Sequence, residues 1–273
     1  MILYSVILPW HKDDDLFRRA VASVPCREDV ELIAVEDKDR LGAGWARNQA
    51  LSKARGKWLV FLDSDDFFTA DAFALMDRHS SSEADIIFFN VEAQMADSGL
   101  PSSRQDDKRT HLAAYATKPS DLEYFCRYQY PEPWGKMVRR SFVEKEGIRF
   151  DQTSCANDYM FSVLCGIKAS TVIYDPGVLY VVTEREGSVS REYFDSIVKL
   201  CDRLDVYWRV QQAFDSAGVR LYPFAGLWMM CRRQGGEVLR TARDFCASKG
   251  ISVWQLWLMC AKRVIMKRLQ CLR

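Results

Sequence analysis

No basic surplus marks this chain. Its 38 Lys and Arg stand against 37 Asp and Glu, so the overall charge asks for no polyanion, and a nucleic-acid partner is not expected. Cys-x-x-Cys spacing is absent among the nine cysteines, which argues against a zinc or dithiol redox motif. Most of them fall in apolar stretches, where cysteine serves as a small hydrophobe, and a reducing compartment is expected. No uninterrupted run of about 18 apolar residues occurs, so no membrane-spanning helix is expected. The basic n-region and small-residue cleavage site of a signal peptide are also missing: Ile2 to Pro9 reads as an apolar strand, and a cytoplasmic protein is expected. Internal repeats and low-complexity tracts are absent. Acidic residues run out at Asp244, beyond which Lys249, Lys262, Arg263, Lys267, Arg268 and Arg273 follow.

What is present is an alternation of two periodicities across the first ninety-odd residues. Tyr4-Ser5-Val6-Ile7-Leu8 reads as a buried strand stopping at Pro9, and Leu16, Phe17, Ala20, Val21 and Val24 are spaced for one helix face. Val30 to Val35 gives a second strand ending in Glu36-Asp37. The Leu41-Gly42-Ala43-Gly44 turn opens a helix over Trp45 to Arg55 that stops at Gly56. Trp58 to Leu62 is a third strand running into Asp63-Ser64-Asp65-Asp66. Ala70 to His79 reads as a helix and Asp85 to Val91 as a fourth strand. Met95 to Pro119 is polar and reads as a long surface loop. Helices are expected over Pro119 to Arg127, near Arg140 to Lys145, and after Asn157, a suitable N-cap. Thr171 to Tyr174 and Val178 to Thr183 read as two short strands, and the chain is mainly helical from about Tyr193.

Strands alternating with helices predict βαβ units, hence a mostly parallel sheet flanked by helices. In such sheets ligands bind beyond the carboxyl ends of the strands, and here three strand ends carry Pro9, Asp37 and the Asp63/Asp65 pair. Three carboxylates within four positions repel one another unless a positive charge sits among them. Hard oxygen donors of this kind suit Mg2+ or Mn2+, which bridge to substrate phosphates. The plainer alternative is capping of the following helix, which weighs more for Asp66 than for Asp65. An Asp-x-Asp phosphatase nucleophile is a poor fit, because that motif sits on the first strand with a small residue where this chain has Phe67.

Several segments, in order, resemble the family 2 glycosyltransferases of GT-A fold. They are Ser5-Val6-Ile7-Leu8-Pro9, Glu31 to Asp37, Ala46-Arg47-Asn48-Gln49-Ala50-Leu51, Phe61 to Asp66, Pro133-Trp134-Gly135-Lys136 through Arg140, Gly147 to Phe150, Asn157-Asp158, and Gly187-Ser188-Val189-Ser190-Arg191. The resemblance covers roughly the first 190 residues. It implies an α/β GT-A domain, Rossmann-like, with residues 1–95 as the nucleotide-sugar half, 96–192 as the acceptor half and 193–273 as a helical C-terminal extension. It further implies that Pro9 lines the nucleotide pocket and Asp37 hydrogen-bonds the base. Arg47 and Asn48 would sit by the nucleotide or its phosphates, with Ser64 on the donor side. Asp65 would hold Mn2+ or Mg2+, with Asp63 on ribose or metal. Asp158 would be the catalytic base and Trp134 a platform for an acceptor sugar. Ser188, Ser190 and Arg191 would close over the diphosphate.

Three departures qualify the match. Trp10-His11 replaces Tyr-Asn after Pro9, Glu36-Asp37-Lys38-Asp39 replaces Asp-Asp-Gly-Ser, and Asn157-Asp158 replaces Glu-Asp. The first two surround the nucleoside and bear on base specificity. The third removes a like charge beside Asp158 and lowers its expected pKa. Gln-x-x-Arg-Trp, the processive-synthase signature, is absent, so a single-sugar transfer from a UDP-sugar to a glycan or lipid-linked acceptor is expected, for a cell-surface polysaccharide or glycolipid. The alternative is a catalytically silent sugar-nucleotide-binding or scaffold protein. On a helical wheel, residues 251–273 place Trp257, Leu258, Val264, Ile265, Leu269, Cys271 and Leu272 on one side. Lys262, Arg263, Lys267, Gln270 and Arg273 fall on the other, with Arg268 as the exception. Such a helix either packs on the domain or lies in a membrane interface, which would put the protein on the inner face of the plasma membrane.

Overall fold

The computed structural model describes residues 1–115, 117–185, 194 and 196–271. The chain divides into two compact units, one of Met1–Gln152 with Asn157–Ser188, the other of Thr153–Ala156 with Val189–Arg273.

The first unit is built on a seven-stranded sheet. In chain order its elements are β1 (Tyr4–Trp10), α1 (Asp15–Ala22), β2 (Val30–Glu36), α2 (Ala43–Leu51), β3 (Trp58–Phe61), β4 (Phe67–Phe68), α3 (Ala72–Asp77) and β5 (Ile86–Met95). A 3-10 turn (Ser103–Gln105), α4 (Asp106–Tyr115), α5 (Pro119–Tyr128), β6 (Lys136–Arg139), α6 (Arg140–Lys145), α7 (Tyr159–Lys168) and β7 (Val172–Glu184) follow. The strand order is β2-β1-β3-β6-β5-β7-β4. Pairing is parallel for β1 with β2 and β3 and for β5 with β7; β6 runs antiparallel between β3 and β5, and β4 lies antiparallel on β7. β1 has parallel neighbours on both sides, which is why it is a continuous apolar run rather than an alternating one. Helix α1 starts on Asp14, whose carboxylate accepts from the Phe17 amide at 3.2 Å and satisfies a donor the first turn would leave open.

Two expectations need correction. Met95 to Pro119 is not one long loop: it contains the 3-10 turn and α4, and Leu112 there is fully buried. The polar composition hid the helix because its second inward residue is Lys108, buried against Glu132 at 2.7 Å with its ammonium 4.0 Å from the centre of the Tyr130 ring. Likewise Thr171 to Tyr174 and Val178 to Thr183 are one strand, not two. Asp175 pairs with Phe89 and Val178 with Asn90, so Pro176 and Gly177 bulge out while β7 resumes in register.

Close packing at one glycine sets where the second half of the site falls. A Cβ on Gly44, in the first turn of α2, would sit 1.9 Å from the Asp151 carbonyl oxygen and 3.0 Å from the Asn157 Cβ. Only glycine lets α2 approach this close, and the approach brings the start of α7 against α2. Beneath it Phe150 stacks on Phe161 at 4.0 Å, and Phe61 meets both edge-on.

The second unit is helical: α8 (Ile197–Ser216), α9 (Pro223–Gln234), α10 (Gly236–Ser248) and α11 (Val253–Cys271). Leu200, Leu204, Phe224, Leu227, Trp228, Cys231, Ala242, Cys246, Ile251 and Leu256 form its own buried core. Ser196 caps α8, its hydroxyl accepting from the Lys199 amide. Among the described residues no helix is long and apolar enough to cross a membrane.

Candidate active site

Arg47 is the centre of the constellation. It projects from α2, is 4 % exposed, and reaches two elements at once: one Nη donates to Asp63 Oδ1 at 2.6 Å and the other to Asn157 Oδ1 at 2.9 Å. The end of β3 and the start of α7, 94 positions apart in sequence at Asp63 and Asn157, are thereby held on one guanidinium fork, a geometry a single ammonium cannot supply. Burial opposes the Arg47 charge, but Asp63 and Asp158 outweigh it and hold the guanidinium above its ordinary range.

Asp63 to Asp66 form a turn closed by the Asp66 amide on the Asp63 carbonyl at 3.1 Å. The three acids face different partners. Asp66 is buried, accepting from the Tyr180 hydroxyl at 2.8 Å and the Thr183 amide at 2.7 Å; its side chain ties the turn to β7 and caps no helix. Burial, with Asp65 and Asp63 alongside, pushes its carboxyl well above the usual range. Asp65 is half-exposed and pairs with Arg185 at 2.9 Å. Burial and the neighbouring Asp63 charge raise its pKa against the pull of Arg185. Arg19 of α1 steadies the same residue from behind, donating to the Asp65 carbonyl at 3.0 Å while lying over the Phe67 ring. Ser64 sits at the turn's tip, partly exposed.

Asp158 is the N-terminal flanking residue of α7 and its carboxylate caps nothing. Asn157, expected as that cap, instead accepts from Arg47. Partial burial pushes the Asp158 carboxyl up to about 6; Arg47 pulls it down, and Asp63 and Glu132 push it up. A carboxylate with that pKa is more than half protonated just below pH 6 and mostly ionised, able to take a proton, above it.

The remaining sequence candidates divide. Pro9 is buried inside β1, which continues to Trp10 rather than stopping. Asp37, at the end of β2, is 8 % exposed, and its two oxygens accept from the Leu41 and Gly42 amides at 2.7 Å each. It therefore holds the 37–42 turn and keeps one lone pair per oxygen for a ligand. Asn48 faces inward: its amide takes both the carbonyl and the N–H of Phe150, at 2.9 Å each, so it clamps the chain ahead of Asp158. Asn48→Ala is expected to cost about 2–4 kcal/mol, because both backbone groups of buried Phe150 lose their partner. Urea unfolding checks this, and a loss under 0.5 kcal/mol (roughly the scatter of neutral surface changes) would contradict the clamp. Trp134 is corrected: it is 6 % exposed, stacked on Tyr180 at 5.1 Å with Lys108 4.5 Å from its ring centre, and offers no open face to a sugar. Arg191, with Ser188 and Ser190, lies outside the described residues.

Arg185, Tyr180 and the Lys108–Glu132 pair were missed from sequence. Arg185 had a visible signal, a cation directly after a strand and ahead of Gly187-Ser188. Lys108 and Tyr180 had none, since their roles depend on which strands become neighbours.

A parallel sheet with acids at the ends of β2 and β3, crossed by the antiparallel β6, is a GT-A fold. Solved structures agree: that of residues 1–349 of TarS from Staphylococcus aureus with UDP-GlcNAc aligns at a TM-score of 0.59 and 17 % identity, over 83 % of this chain and 71 % of that one. The mannosyltransferase PcManGT from Pyrobaculum calidifontis with GDP-Man and Mn2+ aligns at 0.52 and 14 % identity, over 96 % and 86 %. The chain belongs to glycosyl transferase family 2, whose model matches residues 20–156. It is similar to the succinoglycan biosynthesis protein ExoO of Rhizobium meliloti, at 29 % identity over 82 % of this chain and 62 % of that one. It is also similar to TarS, a poly(ribitol-phosphate) beta-N-acetylglucosaminyltransferase, at 26 % identity over 58 % of this chain and 28 % of that one. The chain thus spans less than two thirds of the length of these relatives.

Proposed function

We propose that this protein transfers a single sugar from a nucleotide diphosphate donor, a UDP-sugar, to an acceptor hydroxyl with inversion, in synthesis of a cell-surface polysaccharide or glycolipid. One observation carries the reading. Arg47 fixes Asp63, at the donor end of β3, beside Asp158, whose carboxylate is left uncapped with a pKa of about 6. In this reading Asp158 removes the acceptor hydroxyl proton as that oxygen bonds to the anomeric carbon, and the bond to the nucleoside diphosphate breaks with its electrons leaving on the phosphate. Attack from the face opposite the leaving group inverts the centre. Asp37 with Pro9 flanks the nucleoside, and Arg191 belongs to the donor side. The choice of uridine is supported by the relative solved with UDP-GlcNAc.

The donor set fits a divalent cation. Among the described residues no three His, Cys, Asp or Glu converge as a closed metal cage. Asp63 and Asp65, however, bring two hard oxygen donors close enough for one charge to raise the other's pKa, and these two carboxylates would hold the ion. Bound there, Mn2+ or Mg2+ would supply positive charge to offset that on the departing diphosphate. The second reading, a silent sugar-nucleotide-binding or scaffold protein, draws on Arg185 and Arg47, which already neutralise Asp65 and Asp63.

Calorimetric titration with UDP, with and without Mn2+, separates the two. Metal-dependent binding that is lost in Asp65→Ala is expected for the transferase. Binding indifferent to metal and to the substitution would favour the silent protein. Localisation belongs to the same proposal: a cytoplasmic enzyme touching the inner face of the plasma membrane through residues 251–273.

A further inference from the structure

Helix α11 resolves the choice between packing and exposure in an unusual way: it does both with apolar residues. Leu256 is 5 % exposed in the core of the helical unit, and the Arg263 guanidinium donates to the Tyr222 carbonyl at 3.1 Å and lies against Gly226, seating α11 on α9. The outward side nevertheless carries Val253 at 83 %, Trp254 at 66 %, Trp257 at 59 % and Ile265 at 56 % exposure, and the two indoles stack on each other at 5.0 Å. A soluble helix ordinarily turns charge outward here.

Between α9, α10 and α11 lies a cavity of about 480 Å³. Trp228, Ile251 and Leu256 form its apolar wall, and exposed Trp257 lines it too, so the lining and the apolar outer strip share a residue. Two arginines, Arg232 and Arg243, also line it. Both are exposed, and among the described residues neither has a carboxylate within ion-pairing distance. From Pro223 to Cys271 nine Lys and Arg stand against only Glu237 and Asp244, a surplus of seven in a chain whose net charge is +1. An apolar slot with unpaired guanidinium forks beside it matches a ligand with an apolar chain and an anionic, phosphate-type head. The tryptophan pair and the basic surplus match the surface such molecules form.

We propose that this cavity is a binding site for one anionic membrane lipid: its chain enters between α9, α10 and α11, its headgroup is held by Arg232 and Arg243, and Trp254 and Trp257 lie in the surrounding lipid interface. The site lies wholly in the helical unit and does not rest on the sugar-transfer reading, although it gives the proposed membrane contact a specific ligand.

The test uses the full chain and dodecyl phosphate below its critical micelle concentration, followed by tryptophan emission. A saturable blue shift is expected, with dodecyl maltoside binding at least about tenfold more weakly and inorganic phosphate producing no shift. Arg232→Ala/Arg243→Ala, both at exposed positions, should weaken dodecyl phosphate about tenfold or more. Ala247→Phe, at an exposed position on the cavity wall, should block the chain while leaving the circular-dichroism melt unchanged. The wild type should float with phosphatidylglycerol-containing vesicles and not with phosphatidylcholine alone; Ala247→Phe should float less. Equal binding by both variants overturns the site, and so does a shift given by inorganic phosphate alone. Sedimentation showing that α11 instead buries its tryptophans in a dimer overturns it as well. Asp158→Asn must bind dodecyl phosphate like the wild type, so that failure of the catalytic reading leaves this result standing.

Discussion

Asp158→Asn is expected to abolish sugar transfer and, at pH 7.5, to raise the melting temperature. The two effects share one cause. The Asp158 carboxyl has its pKa lifted from 3.8 to about 6, chiefly by burial, because Asp63 and Glu132 offset part of the relief that Arg47 gives. A carboxyl raised by folding contributes stability as the neutral acid, fully below its unfolded value near 4, and loses that contribution as pH climbs through 6. At pH 7.5 the folded chain therefore holds a charge it would hold more easily unfolded, at a cost of about 2–3 kcal/mol. Asparagine keeps the shape without the charge. Thermal melts should show the variant a few degrees more stable at pH 7.5, about equal below pH 4, and unable to turn over donor although UDP titration is unchanged. Wild-type kcat/KM should fall on the acid side with a midpoint near 6. Turnover within tenfold of wild type, or a stability difference independent of pH, would remove Asp158 from the role of base.

Arg47→Met carries the opposite expectation. The guanidinium is the shared counter-charge of Asp63 and Asp158 and the hydrogen-bond partner of Asn157. Removing one partner of a buried ion pair leaves the other uncompensated, a loss of about 3–5 kcal/mol, read as a lower urea midpoint. With the cation gone, the Asp158 carboxyl moves further up, so residual activity should have its acid limb displaced to higher pH. Arg47→Lys should restore part of the stability without the full rate, because one ammonium cannot span Asp63 and Asn157 together. A variant whose pH profile stays at the wild-type position would show that Asp158 does not sense Arg47.

Both experiments concern residues that stood out in the sequence, which shows where its legibility lay. Acids at the ends of apolar strands need no knowledge of the fold to be suspicious, and the order of β1, β2 and β3 follows from short-range periodicity. Harder to read were features decided by strand neighbours. β6 inserts between β3 and β5, and nothing in Lys136 to Arg139 says so. Trp134 reads equally well as a sugar platform or as core, and its stacking partner Tyr180 is 46 residues away. Asn48 lies in a stretch with strong family likeness, yet its amide is consumed by the Phe150 backbone; likeness reported position and not orientation. α4 was invisible because its burial is partly ionic, through Lys108 and Glu132, and polarity patterns register only apolar burial.

The Tyr180 hydroxyl accepts from the Asp63 amide at 3.0 Å while donating to Asp66 at 2.8 Å, beneath a stacked Trp134. A single oxygen thus bridges both ends of the four-residue turn, and Thr183 and Arg19 hold it from either side. Fixing a backbone residue costs about 1–2 kcal/mol of conformational entropy, and in this turn that ordering is completed at folding. A ligand arriving at Asp63 and Asp65 meets carboxylates already in place, so its association with this turn is that of a rigid receptor, with little entropy left to surrender.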